Sequence, residues 1–156
     1  MTERPMRRSD RQISEQETVE LLLKAEYGVL ATVNADGTPY SLPISFAYKD
    51  GVIYLHGATE GQKIDNIKTH PSVCFCVVGN TELLPDKFTT NYISAIAQGN
   101  AEIVSDAEEK KEGLMALIEK YSAGHIPAGI KYIESAIDKV CVIKIKIYKL
   151  TGKSRK

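Results

Sequence analysis

The sequence predicts a mainly β fold, an antiparallel barrel with peripheral helices, and three observations lead to this prediction. Six segments carry strand signals, they are mostly joined by short turns, and the chain shows neither a β-α-β-α-β rhythm nor an internal repeat. Closing such a sheet into a barrel removes its exposed edges. The length of 156 residues allows one domain. We expect that domain at residues 14–156, after a polar and flexible N-terminal arm at residues 1–13.

The predicted strands are rich in β-branched and aromatic residues and are bounded by turn residues. They cover residues 28–33, 40–48, 52–56, 72–78, 90–105 and 141–148. Asp-Gly pairs at 36–37 and 50–51 suit the turns of an antiparallel meander. Pro43 interrupts the second strand, and because proline cannot donate to a ladder it marks an edge, a bulge or an opening that faces a ligand. Gly99 predicts a bend in the fifth strand.

Helices are predicted where apolar residues recur at helical spacing behind a capping residue. They cover residues 14–26, 59–69, 105–121 and a short segment that ends at residue 135, with polar loops at 79–87 and 122–128. Ser14 with Glu17, and Ser105 with Glu108, match the capping box.

Charge and composition exclude several classes of function. Twenty Lys and Arg residues balance twenty Asp and Glu residues, so the basic excess of a nucleic-acid-binding protein is missing. The longest apolar run, residues 73–78, is far shorter than the roughly 20 residues of a membrane helix. Three cysteines without an export signal predict no disulfide framework. We therefore expect a cytoplasmic protein that binds neither nucleic acid nor membrane.

The segment between the third strand and the second helix predicts a site for an anion. We expect Thr59 and Gln62 to be the N-cap and N3 residues of a capping box, with backbone N–H groups and the helix dipole favouring negative charge. Lys63 stands in the same turn, where a cation costs about 0.3–1 kcal/mol unless a negative group neutralises it. Gly57 and Gly61 allow a ligand to approach the backbone. The pattern is compatible with a phosphate cradle, and the alternative is a capped surface helix with Lys63 in water, which is the commoner outcome for strand-Gly-helix joints in general.

His56 ends the third strand beside this cradle and is the one histidine that we propose as a site residue. It is suited to contact a cofactor or substrate, or to donate a proton, and a structural role is equally open. Cys74 and Cys76 share a strand face, but no partner pair completes a zinc site, so we expect two small apolar residues on a buried face and no metal. Hydrolase motifs are missing from the sequence. A cofactor-using domain is the more natural interpretation.

Six groups of residues, taken together, carry a family resemblance. They are Arg7-Arg8-x-Asp10-Arg11-x-Ile13, Leu42-Pro43-Ile44-Ser45-Phe46-Ala47-Tyr48, Ile53-Tyr54-Leu55-His56-Gly57-Ala58-x-x-Gly61-x-Lys63-x-Asp65-Asn66-Ile67, Pro71-x-Val73-Cys74-Phe75, Gly99-x-Ala101-x-Ile103 and Thr151-Gly152-Lys153. In order and spacing they resemble the flavin-nucleotide-binding proteins related to pyridoxamine 5′-phosphate oxidase, most closely the nitroimidazole-resistance (Nim-type) branch. The resemblance covers nearly the whole chain.

This resemblance implies a split β-barrel homodimer, here six-stranded, that binds FMN at the subunit interface. Carried over by position, the residues implied to line the isoalloxazine are Pro43, Ile44 and Ser45. Those implied near the ring and the ribityl chain are His56, Gly57 and Ala58, with Gly61 and Lys63 near the phosphate and Tyr92 and Ser94 reaching the partner's flavin. The basic C-terminal substrate motif of a true pyridoxamine phosphate oxidase is not intact in residues 150–156, so vitamin B6 synthesis is not expected. Segments 79–87 and 122–129 match no family motif and are expected to shape the substrate pocket.

The expected function is therefore that of an FMN-dependent oxidoreductase. The flavin would carry the redox chemistry, and a small electron-poor acceptor such as a nitroimidazole would receive the electrons, with His56 as proton donor. Two alternatives stay open. The protein is either a flavin-holding or flavin-sensing module without turnover, or a split barrel that binds heme or a deazaflavin instead.

Overall fold

Within residues 4–156, which the computed structural model describes, seven strands pair in one antiparallel sheet. They are β1 (Gly28–Val33), β2 (Pro39–Ile44), β3 (Ala47–Lys49), β4 (Val52–Gly57), β5 (Ser72–Leu84), β6 (Thr89–Ile103) and β7 (Cys141–Arg155). The α-helices are α1 (Glu15–Lys24), α2 (Gln62–Thr69), α3 (Ala107–Tyr121) and α4 (Ile126–Ala136). The order in the sheet is β2-β1-β5-β6-β7-β4-β3. The mainly β antiparallel fold with peripheral helices is thus confirmed.

The sheet has seven strands rather than the predicted six because the second predicted strand is broken. Its halves, β2 and β3, are the two edges of the sheet, and the chain runs directly from one to the other through Ser45 and Phe46. The sheet therefore curls until its edges meet at this point. Pro43 lies within edge strand β2 opposite Val29, as edge strands allow, and the break falls two residues later.

The interior of the barrel is apolar and is covered by α1 and α2. Its fully buried side chains include Leu30, Phe46, Ile53, Leu55, Phe75 and Ile143. A second apolar cluster lies under α3 and α4, with Tyr54, Leu114, Leu117, Ile133 and Val142 among its members. The ammonium group of Lys144 on β7 ties α3 to the sheet, because it lies 2.6 Å from a carboxylate oxygen of Glu102 and 2.6 Å from one of Glu109.

The hairpin of β5 and β6 is longer than the sequence predicts. The polar loop expected at 79–87 is wrong: strand pairing continues to Leu84 opposite Thr89, and a 3-10 turn at Pro85–Lys87 closes the hairpin. The apolar residues of this projecting segment, Leu83 and Leu84, are adjacent and not buried, so the segment lacks the alternation that identifies a half-buried strand. The predicted bend at Gly99 is confirmed by a register shift between Gln98 and Gly99.

The helix starts follow the predicted caps in one case and differ in another. Ser14 caps α1 through the complete capping box with Glu17. Asp106, not Ser105, caps α3, since its carboxylate accepts the N–H of Glu109 at 2.8 Å. Aspartate and serine are comparable N-cap residues, so the sequence alone does not show which of these two adjacent residues caps the helix. Helix α4 begins inside the expected loop at 122–128, with a proline in its first turn, where proline is tolerated.

The expected N-terminal arm contacts the end of β7. Ser9–Arg11 form a 3-10 turn, Gln12 bridges to Lys153, and the N–H of Ile13 donates to Gly152 at 3.1 Å. Residues 1–3 of the arm lie outside the described residues, and its flexibility stays a prediction. None of the helices in residues 4–156 is long and apolar enough to cross a membrane.

Candidate functional site

The corner between β4 and α2 is where the sequence predicts a phosphate cradle. Helix α2 begins at Gln62, and its N-cap is Gly61, with φ +133° and no side chain to cap the helix. The predicted capping box is therefore wrong: Thr59 lies two residues before the cap, and Gln62 is the first helical residue rather than N3. Glycine reaches this backbone conformation without strain, so the chain enters the helix with its first N–H groups free of a side-chain cap.

The side chain of Lys63 folds back over the end of β4. A Cβ placed on Gly57 would lie 3.3 Å from the Lys63 Nζ and 3.4 Å from its Cε. Across the ladder, Gly57 faces Cys141, whose pKa is raised because burial outweighs the opposing effect of the nearby charges of Lys110, Lys63 and Lys68. Lys63 is half-buried. The surface-helix alternative requires this ammonium group to extend into water. It lies at the helix N-terminus instead.

A buried polar network holds this end of α2 against β1. Asn66 is almost fully buried, and its Nδ2 donates to the Thr32 Oγ1 at 2.9 Å and to the Asn34 Oδ1 at 2.8 Å. The Gln62 Nε2 donates to the same Asn34 oxygen at 2.9 Å. Because buried polar groups need partners, this network fixes where the first turn of α2 points.

His56 and Ser45 come together at the break between β2 and β3. Burial lowers the pKa of His56, so its imidazole is neutral at neutral pH. Its Nδ1 is shielded from solvent and has no hydrogen-bond partner among the described residues. Both residues line one cavity of about 250 Å³ whose other walls come from α3 and α4. An unpartnered buried nitrogen beside a cavity is suited to a ligand that completes its hydrogen bond.

The other predicted ring and chain contacts have different placements. Pro43, Ala58 and Thr59 are exposed, whereas Ile44 is half-buried and packs against the barrel interior. Thus the structure brings Ser45, His56, Gly57 and Lys63 to one region, while the Ile44 side chain is directed to the core.

Tyr92 and Ser94 lie on β6 and line two other surface cavities. Tyr92 lies in a cavity of about 350 Å³ that also includes Arg155, and Ser94 in one of about 400 Å³ that includes Lys149 and Lys153. Neither cavity includes a residue of the β4–α2 corner. A role at the partner's flavin, as the resemblance implies, therefore stays a prediction.

Two residues at the end of α3 were not found by sequence reasoning. The Tyr121 Oη accepts the N–H of Phe46 at 2.9 Å and lies 2.5 Å from the carbonyl oxygen of Glu26. The Lys120 Nζ lies 3.6 Å from the centroid of the Phe46 ring and donates to the Leu22 carbonyl at 3.1 Å. Burial lowers the pKa of Lys120 to about 8. Together they hold the strand break in place, and no local signal links them to Phe46, 75 residues away from Tyr121.

Two of the three cysteines lie close together on β5. Cys74 and Cys76 are half-buried on the outer face of β5, not on a buried face as expected, and burial raises the pKa of both thiols. In the part of the chain that the structure describes, no three His, Cys, Asp or Glu side chains form a group that could hold a metal ion.

Comparison with known proteins identifies the family. The sequence model of the family described as pyridoxamine 5′-phosphate oxidase matches residues 14–154. The chain belongs to this pyridoxamine 5′-phosphate oxidase family. Residues 14–154 include the strand break at Ser45 and Phe46 and the whole β4–α2 corner, so the candidate site lies within the matched region. The comparison with curated proteins finds no match.

Solved structures of the same fold include proteins that bind redox cofactors. A candidate 5-nitroimidazole antibiotic resistance protein from Bacteroides thetaiotaomicron is 26% identical, with a TM-score of 0.80, over 92% of this chain and 86% of that chain. The flavocytochrome Anf3 from Azotobacter vinelandii is 23% identical, with a TM-score of 0.79, over 97% and 72%. An FAD-binding protein from Mesorhizobium loti is 20% identical, with a TM-score of 0.68, over 94% and 98%. The latter two likenesses show the shared fold.

Proposed function

We propose that this member of the pyridoxamine 5′-phosphate oxidase family binds FMN, with the phosphate at the β4–α2 corner. The observation that carries the proposal is the position of Lys63, whose ammonium group folds over Gly57 at the uncapped start of α2. An ammonium group and helix N–H groups are both electropositive, and a phosphate neutralises both. The exposed Gly61 leaves the approach open, since nothing lies within 4 Å of where its Cβ would be.

The ring of the flavin belongs, in this proposal, beside Ser45 and His56. These residues lie at the strand break, where neighbouring backbone groups bond to Tyr121 instead of to a strand. The unpartnered His56 Nδ1 is a hydrogen-bonding group that such a ligand would satisfy. The flavocytochrome and the FAD-binding protein of similar fold support a flavin as the ligand class.

The protein then acts as an oxidoreductase toward small electron-poor acceptors. A bound flavin supplies hydride and electron transfer, and the chain supplies binding, orientation and shielding. Lys63 and the α2 N–H groups hold the phosphate, α3 and α4 shield the ring side from water, and His56, neutral at neutral pH, holds or passes a proton. The similarity to the nitroimidazole-resistance candidate supports nitro compounds as acceptors.

The functional unit is a homodimer in this proposal. Four apolar or thiol side chains form a patch on the outer face of β1, β5 and β6, where Val29 faces Cys76 and Cys76 faces Ile96 in the ladder, with Val78 nearby. Val78 is 57% exposed and Ile96 42% exposed. Large exposed apolar patches mark interfaces, and the formal net charge of zero does not oppose self-association.

The dimer would also explain the two outlying site predictions. Tyr92 and Ser94 share β6 with Ile96, at the alternate positions that line the same face. A second copy seated on this patch would bring them toward the partner's flavin. Sedimentation of the Ile96→Arg variant tests this: it should be monomeric, whereas Ile130→Arg, at a similarly exposed position on α4, should remain dimeric. A monomeric wild type contradicts the proposal.

The activity is tested by reduced-nicotinamide oxidation that depends on an added nitroimidazole, with FMN-loaded protein. Turnover above that of free FMN supports an oxidoreductase. A lower turnover rate in His56→Gln, with FMN binding unchanged, supports the role of His56 in proton transfer. FMN binding without turnover across a panel of acceptors contradicts the enzyme and favours a flavin-holding module. A dominant Soret band in the purified protein would favour heme.

We place the protein in the cytoplasm, in keeping with its three free cysteines.

A further inference from the structure

The cavity beside Ser45 and His56 extends away from the phosphate corner, under α3 and α4. Its volume is about 250 Å³, and its remaining walls include Leu117, Ile118, Ser122 and Tyr132. Gly57, Gly61 and Lys63 do not line it. An engineered apolar cavity of about 150 Å³ is large enough for benzene, so this one accommodates a single substituted ring.

The walls of this cavity are uncharged. None of the residues that line it is a Lys, Arg, Asp or Glu, and the aliphatic and phenol side chains are accompanied by two serine hydroxyls and the imidazole of His56. A carboxylate or phosphate placed here would lose part of its hydration without gaining a cation in the cavity wall, which is unfavourable. Neither of the nearby ammonium groups lines the cavity: that of Lys63 lies at the other corner, and that of Lys120 lies over the Phe46 ring and donates to the Leu22 carbonyl.

From this arrangement we infer that the cavity between the strand break and α3–α4 is the acceptor subsite, and that it selects uncharged single-ring acceptors over anionic ones. The inference rests on the proposed function, because the acceptor must lie beside the flavin ring at Ser45 and His56. It adds which acceptors the cavity selects and which residues are responsible for the selection. Ser122 comes from the segment 122–129, which matches no family motif, and Tyr132 comes from α4.

The selection rule is tested with two nitro-substituted rings of similar size, 4-nitrobenzyl alcohol and 4-nitrobenzoate, of which only the second is charged at neutral pH. Binding to the flavin-free chain is measured by calorimetry or ligand-observed NMR, so this readout does not depend on turnover. We expect the alcohol to bind at least tenfold more tightly than the carboxylate. Equal affinities would overturn the inference.

The position of the subsite is tested with two neighbouring substitutions. Ser122→Phe fills the cavity and should weaken binding of the alcohol at least tenfold, while Ala123→Phe, at an exposed position outside the cavity, should leave it unchanged. FMN affinity, measured on the same variants, should not change. If Ser122→Phe does not fold, Tyr132→Leu removes one wall from an exposed position and should weaken binding at least threefold. Wild-type affinity in the folded variants contradicts the subsite.

The FMN titration separates this inference from the proposed function. If the chain binds the alcohol selectively but ignores FMN, the proposed function fails while the charge-selective cavity stands, and its role as an acceptor subsite is overturned. If FMN binds and both nitro ligands bind equally, the subsite fails alone.

Discussion

The ammonium group of Lys63 lies over the backbone of Gly57, so close that a Cβ on Gly57 would be 3.3 Å from the Lys63 Nζ. These residues are separated by the turn that joins β4 to α2, and a cation at the start of a helix is unfavourable unless an anion accompanies it. The absence of a side chain at position 57 makes the contact possible. The pair therefore defines the electropositive corner on which the proposed function depends.

Replacing Lys63 with Ala should weaken FMN binding about tenfold to a hundredfold, because a charge-assisted hydrogen bond contributes about 1.5–3 kcal/mol. Fluorescence quenching during titration of the flavin-free chain measures this. Riboflavin lacks the phosphate, so its weaker affinity should be the same in wild type and variant. Lys68→Ala, on the last turn of the same helix, is the matched control and should bind FMN as wild type does. Unchanged FMN affinity in Lys63→Ala would show that the phosphate lies elsewhere.

Replacing Gly61 with Ala should lower the free energy of unfolding by about 1–3 kcal/mol, because φ +133° is a conformation that only glycine adopts readily. The start of α2 would shift to relieve the strain, and FMN affinity should fall as well. Gly124→Ala is the control, since Gly124 likewise has nothing within 4 Å of its Cβ position but has no positive φ. Urea unfolding monitored by circular dichroism compares the two. Equal stability of both variants would contradict this account of the cap.

Replacing Asn66 with Ala should cost about 1–3 kcal/mol of stability, since it leaves buried partners on Thr32 and Asn34 with fewer hydrogen bonds. Asn100→Ala removes an exposed amide and should change the free energy of unfolding by less than about 0.5 kcal/mol. If the network positions α2, FMN affinity should also fall in Asn66→Ala alone. If Asn66→Ala is as stable as wild type and binds FMN with full affinity, the hydrogen-bond network of Asn66 does not position α2.

The stability of the protein should rise with pH between about 8 and 10.4 through Lys120. Its pKa is about 8 in the folded chain, lowered by burial, and about 10.4 in an unfolded one. In this window the unfolded state binds more protons, so the free energy of unfolding increases with pH, and below about pH 8 the group is protonated in both states and the slope disappears. Lys120→Met should flatten this rise, whereas Lys24→Met, whose side chain is 78% exposed, should not. Parallel profiles for wild type and Lys120→Met would refute the assignment.

Local patterns were sufficient to predict much of the barrel and half of the corner. Asp-Gly turns and runs of β-branched residues identify the first strands, and Gly57, Gly61 and Lys63 stand within seven residues of sequence. The predicted cap at Thr59 failed because a glycine with positive φ begins the helix directly. Both a threonine cap and a glycine cap fit that sequence, and the backbone angle alone decides between them.

The features that were missed depend on contacts between distant segments. The break after β2 is stabilised by the hydroxyl of Tyr121, which bonds the N–H of Phe46. Similarly, the strand pairing of Leu84 with Thr89 follows from the hairpin geometry and not from any apolar alternation. The wall of the acceptor cavity depends on how α4 packs on α3, and helical periodicity does not specify the docking of two helices.

The absorption spectrum of the freshly purified protein, followed by titration of the stripped chain with FMN, tests the central claim most directly. We predict the two visible-range bands of a flavin, FMN among the extracted small molecules, and saturation at one FMN per chain. A colourless preparation whose titration leaves FMN fluorescence unchanged would contradict the claim.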